Sequence, residues 1–163
     1  MGNQTYQKTF QLLNLNMQTI FGFTQLTSYM QKLKSDLPNR IYDGLKSAAL
    51  LIEKAAKENI IHGRAEWPAI KYPERRVSKK SRTQATPLLD TGTLMCSIHS
   101  EVEKTQAIIG SGLKYAPPHE LGTTRAGRTR STTIPKRPFL TPAAKENIKE
   151  IQSIFVKKLQ GKL

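Results

Sequence analysis

Leu13, Leu15 and Met17 alternate with Asn14, Asn16 and Gln18. This period of two predicts a half-buried strand, which Gly22 helps to end. Leu26, Tyr29, Met30, Leu33 and Leu37 then fall at helical spacing. They predict a short amphipathic helix over about 24–35. Pro38 follows, and a proline suits a first helical turn, where its missing N–H has no intrahelical partner anyway. Ile41, Leu45, Ala48, Ala49, Ile52 and Ala56 mark one stripe of a longer helix, about 38–61, with Gly63 just past its end.

Apolar periodicity is lost over 62–87. Pro68, Pro73 and Pro87 interrupt that segment, which reads as a long loop. Leu88, Leu89 and Leu94 flank Asp90-Thr91-Gly92, a turn with a glycine available for positive φ. Ile98, Ser100 and Val102 alternate with His99, Glu101 and Glu103, and Ala107, Ile108 and Ile109 follow a tight connection. Together they predict a hairpin. Residues 122–133 are basic and poor in apolar side chains, and read as a second loop. Ile134 to Leu140 is extended by its prolines. A C-terminal helix follows, capped by Thr141, with Pro142 at its first position and Ile148, Ile151, Phe155 and Leu159 as its stripe. The predicted class is α+β: one domain over 1–163, a small mostly antiparallel sheet packed by N-terminal helices and a C-terminal helix, with two long basic loops.

Composition changes this picture in one respect. The net charge is +14, but it is unevenly placed. Residues 62–82 hold seven basic and two acidic side chains, and residues 122–138 hold five basic and none acidic. The basic side chains Lys71, Arg75, Arg76, Lys79, Lys80, Arg82, Arg125, Arg128 and Arg130 therefore belong to the two loops. They are the candidate assembly arms, with Trp67 at the entrance to the first. Trp67 reads either as an anchor that pins the loop to the body or as a subunit-interface anchor.

Chemistry narrows the function by absence. A single cysteine, Cys96, excludes an internal disulfide and a cysteine-based metal cluster, and reads as a small apolar residue. His119-Glu120 lacks the second histidine of a zinc-peptidase helix, since position 123 is Thr. Gly110-Ser111-Gly112 lacks the rest of a dinucleotide fingerprint. Nothing assembles a nucleophile, a base and an orienting group. No catalytic residue, metal or cofactor is expected. The absence of a long apolar run or a leader-like N-terminus predicts a protein made in the cytoplasm and kept off the membrane.

The motifs between Trp67 and Leu140 form an ordered set. Trp67-Pro68 and a basic loop precede Leu88-Leu89-Asp90-Thr91-Gly92-Thr93-Leu94 and Ser97-Ile98. A hairpin leads to Gly110, Tyr115-Ala116 and His119-Glu120-Leu121-Gly122. A second basic loop precedes Ile134-Pro135, Arg137-Pro138-Phe139-Leu140 and the last helix. This set, spanning about Ile41 to Leu163, resembles the phage virion-morphogenesis family that includes tail-completion and neck proteins. The resemblance implies a structural, non-enzymatic subunit of a tailed bacteriophage. Such a subunit forms an oligomeric ring at the head–tail junction of the virion and is needed to join head and tail. Its partners would be further copies of itself and other connector and tail proteins, with transient contact to DNA in the lumen. Asp90, Gly92, Leu94, Tyr115, His119, Gly122, Arg137, Pro138 and Phe139 would be structural. The competing expectation is a stand-alone basic nucleic-acid-binding protein, with the two loops clamping phosphates.

Overall fold

The computed structural model describes residues 3–70 and 86–160, with side chains described from Phe23 onward. In chain order the elements are helix α1 (Asn3–His62), helix α2 (Thr93–Ser97), strands β1 (Ile98–Val102) and β2 (Ala107–Ser111), helix α3 (Ala116–Leu121), strands β3 (Thr123–Ala126) and β4 (Thr132–Ile134), and helices α4 (Leu140–Glu146) and α5 (Ile148–Gln160). The class is α+β, as the periodicity predicts.

The N-terminal expectation needs correction. Residues 13–18 are not a strand, and no break separates two helices, because α1 runs through both and carries Pro38 inside it. The alternation around Leu15 spans three apolar positions only. Phe10, Leu13, Met17 and Ile20 also satisfy three- and four-residue spacing, which is the helical period. The contacts of the chain divide it into two compact units, 1–40 and 41–163. In the first, helical unit, Asp36 and Arg40 pair across one turn at 3.9 Å. Hydroxyls of Thr27, Ser28 and Ser35 bond back to carbonyls one turn earlier.

The second unit holds the core. Ala56, Ile60, Trp67, Leu88, Leu94, Ile98, Ala116, Phe139 and Ala143 form one buried cluster. Small side chains on α1 set how closely other elements approach. A Cβ at Gly44 would lie 2.9 Å from the Phe155 ring of α5, so α1 and α5 meet with no room for a methyl group. The predicted hairpin is present, with Ile98 opposite Ser111 and Val102 opposite Ala107. Ile98, Ser100 and Val102 point inward, as the alternation requires. Ser100 donates to Glu53 on α1 at 2.7 Å, and Lys57 donates to the same carboxylate at 2.6 Å.

Five further expectations change. The sheet is divided into two separate two-stranded hairpins, β1–β2 and β3–β4. The second hairpin occupies what reads as a loop over 122–133. Thr123, Thr124, Thr132 and Thr133 are β-branched and accept strand geometry without apolar patterning. The C-terminal helix is split at Asn147 (φ −93°, ψ 8°), whose side chain donates to the Ala143 carbonyl at 2.8 Å. Thr141 lies inside α4 rather than capping it. Cys96, read as an apolar filler, is exposed.

Candidate assembly site

Two parts of the second unit carry the residues that the sequence singles out: a polar clamp on the segment 137–141, and the basic hairpin that springs from it.

The clamp begins with a proline-bearing helix. Pro117 and Pro118 occupy the first positions of α3, where no N–H is needed. Gly122 ends it with φ +76°, and its N–H donates to the Pro118 carbonyl at 2.9 Å. A Cβ at Gly122 would lie 3.1 Å from the backbone nitrogen of Lys136, so both the dihedral and the space call for glycine. The pairing continues where the Arg137 N–H donates to the His119 carbonyl at 2.8 Å.

Glu120 is the centre of the clamp. One of its carboxylate oxygens accepts the N–H groups of Phe139 (2.7 Å) and Leu140 (3.0 Å). The other accepts the N–H and the hydroxyl of Thr141, at 2.8 and 2.6 Å. The first N–H groups of α4 are thus satisfied by a carboxylate about 20 residues earlier in the chain, and no local side chain caps the helix. Burial opposes the charge on Glu120. The bonds from Leu140, Thr141 and Phe139 outweigh it and hold the carboxyl below its ordinary pKa.

Other groups bond the same segment. Arg137 is buried, and its guanidinium donates through Nε and Nη2 to the Pro68 carbonyl, at 3.1 and 2.9 Å. Trp67 is 7% exposed, so its ring belongs to the core rather than to an open surface, and its indole N–H donates to the Pro138 carbonyl at 3.1 Å. Asn59 on α1 donates to the Phe139 carbonyl at 2.8 Å. Arg64 bonds Asn59 and forks onto Glu146 of α4, which keeps Arg64 above its ordinary pKa. Phe139 itself is buried in the core cluster.

The other motif residues gather beside the clamp. Asp90, Gly92, Leu94, Tyr115 and His119 line one cavity of about 310 Å³. Gly92 adopts φ +84° at the start of α2, as the Asp-Thr-Gly turn predicts. The Tyr115 and His119 rings meet edge to face, with centroids 6.2 Å apart. None of the hairpin arginines lines this cavity.

Those arginines sit on the second hairpin. Arg125 is in β3, and Arg128 and Arg130 are in the turn, which closes through Arg130 N–H to the Gly127 carbonyl at 3.2 Å. Gly127 (φ +80°) and Arg130 (φ +53°) both adopt left-handed backbone. All three arginines are exposed, and among the described residues no acidic side chain pairs with them. Lys71, Arg75, Arg76, Lys79, Lys80 and Arg82 lie outside the described residues. Among the described residues, no group of histidine, cysteine and carboxylate side chains gathers as a metal site would require. No helix among them is long and apolar enough to cross a membrane.

Residues 23–160 match the model of the phage virion morphogenesis family. The chain belongs to that family. It is also 36% identical, over 135 residues, to the Mu-like prophage FluMu G protein 2 of Haemophilus influenzae, covering 80% of this chain and 89% of that one. No solved structure matches. The family makes this a phage protein of virion morphogenesis, with a structural role.

Sequence reasoning missed Glu120, Asn59 and Arg64 as working parts. Glu120 stands inside the His119-Glu120-Leu121-Gly122 motif, so position marked it. Nothing in its local pattern shows that its acceptors serve a helix 20 residues away.

Proposed function

We propose that this protein is a tail-completion or neck subunit that forms a ring at the head–tail junction, joins head to tail, and catalyses no reaction. The observation that supports this most is the union of a hydrogen-bonded base with an exposed basic hairpin. The clamp pins both ends of the second hairpin to the core through Glu120, Gly122, Arg137 and Trp67. The hairpin presents three arginines, Arg125 on β3 and Arg128 and Arg130 in the turn, that are left without acidic partners among the described residues. A ring subunit needs such surfaces for the neighbours beside, above and below it. Repetition around a ring multiplies a contact that is weak in one copy. Exposed arginines suit this, because they make bidentate contacts to carboxylates and phosphates alike.

The test is a triple Arg125→Ala, Arg128→Ala, Arg130→Ala variant, supplied in trans to a phage lacking the gene. The variant should fold with an unchanged melting transition, because the side chains are exposed. Lysates should then contain full heads and finished tails that remain apart. Normal particle yield from the triple variant would overturn the role assigned to the hairpin.

A second reading, autonomous nucleic-acid binding, draws on the same exposed arginines. It predicts duplex binding by the purified chain that weakens steeply with salt, with a log–log slope of about −0.9 per phosphate neutralised. It further predicts that the triple variant flattens that slope. In the junction reading the isolated subunit binds DNA weakly at physiological salt, and the loss in the variant is confined to assembly.

A further inference from the structure

The N-terminal unit carries a feature that the hairpin and the clamp leave unexplained. Phe23, Leu26, Met30, Leu33 and Leu37 follow one another at intervals of three, four, three and four. On a helix this places them along one narrow seam. Leu33 is half-buried, but Phe23, Leu26, Met30 and Leu37 are 69%, 56%, 58% and 44% exposed. Tyr29, beside the seam, is also exposed.

A helix in this state lacks its usual source of stability. Helices in proteins are held mainly by packing of the apolar face, not by propensity. Here the propensity is modest, since Thr24, Thr27, Ser28 and Ser35 are poor helix formers and Pro38 removes one backbone bond.

We infer that the seam is covered by the same seam of a second copy of this chain, as a short coiled coil over residues 23–37. Three observations select this occupant. The 3–4 spacing is the one with which two like helices interlock, each side chain entering a gap between four on the other. The flanking positions are Thr27, Tyr29, Lys34 and Asp36, one charge of each sign, so two copies meet with no surplus of like charge. With those exposures on side chains of roughly 150–250 Å² each, the exposed apolar surface is on the order of 500 Å² per chain. Two copies would therefore bury about 1,000 Å², the lower bound for a specific protein interface. Seam against like seam is an isologous contact that pairs copies two by two, so it would add to the ring's neighbour contacts rather than form them, and to that extent it rests on the ring reading.

The test uses the full chain with Cys96→Ser, in which Met30→Cys creates a single thiol on the seam. Mild oxidation should cross-link two chains through position 30, whereas a thiol placed at Lys32, off the seam, should not react. In parallel, Met30→Lys with Leu33→Lys should weaken self-association by at least about 100-fold in sedimentation, with Trp67 fluorescence showing an intact second unit. A parent chain that stays monomeric at high concentration would overturn the inference. So would oligomers that survive the double lysine variant. In that last case rings on a grid would leave the junction reading standing and remove only the seam. An absence of rings and of assembly defects, with position 30 cross-linked, would do the reverse.

Discussion

Replacing Glu120 tests the clamp directly. In Glu120→Ala three N–H groups at the start of α4 lose their acceptor, and so does the Thr141 hydroxyl. Removing a helix cap costs about 1–2 kcal/mol, and removing a negative charge from a helix N-terminus costs about 0.3–1 kcal/mol more. Glu120 is only partly buried, so water replaces some of what is lost. The expected cost is about 1–2.5 kcal/mol, a fall in Tm of roughly 3–8 °C for a chain of this size. Glu120→Gln keeps one acceptor oxygen and should cost about 1 kcal/mol. Trp67 is the sole tryptophan and stacks into the same core, so its fluorescence reports unfolding of this unit without the helical signal of the N-terminus. The pH dependence supplies the sign. The folded carboxyl lies below its ordinary value, about 4.3 for a free glutamate. Its contribution is therefore complete above that pH and is lost as pH falls through the lower folded value. Glu53 and Glu66 are shifted in the same direction, so the informative quantity is the difference between parent and variant. That difference should shrink as pH is lowered from 6 to 3. A Glu120→Ala protein within about 0.5 kcal/mol of the parent, or a difference that does not change with pH, would refute the capping argument.

The remaining predictions are shorter. Gly122→Ala should cost about 2 kcal/mol or more, because left-handed backbone and the approach of Lys136 both oppose a Cβ; Gly92→Ala, at φ +84° with open space around it, should cost only about 1 kcal/mol, and denaturant titration of the two separates strain from collision. Trp67→Phe should lose about 1–2 kcal/mol, since the Pro138 carbonyl loses its donor while most of the ring volume stays; equal stability would mean that water replaces the bond. The hairpin triple variant should separate folding from particle assembly, and the paired lysines at 30 and 33 should separate self-association from folding.

Much of the second unit is legible in the sequence. The stripe from Ala48 to Ala56, the alternation of Ile98, Ser100 and Val102, and the glycine in Asp90-Thr91-Gly92 each express a local rule, and each stands where that rule puts it. Failures occur where local rules compete or where the decisive contact is distant. Over residues 13–18 a two-residue period and a helical period fit the same apolar side chains, and the longer helix wins. Over 122–133 arginines and glycines hide a hairpin, because threonine supplies strand geometry without an apolar face. At Thr141 a good local cap is set aside, since the helix already begins at Leu140 and the threonine hydroxyl donates to Glu120 instead. The family motif contains Trp67, Arg137 and Phe139 but neither Asn59 nor Arg64, and the bonds run between segments up to 82 residues apart, as from Arg64 to Glu146. No window of sequence displays those.

Pinning both ends of the second hairpin has a consequence for how its tip can change. Chain between two fixed points costs little to lengthen: doubling a flexible loop adds only about 0.6 kcal/mol of closure entropy. The tip around Gly127 is therefore free to gain, lose or exchange residues while the body keeps its stability. A fold built this way separates the part that carries the stability from an exposed basic tip, so the two can diverge at different rates.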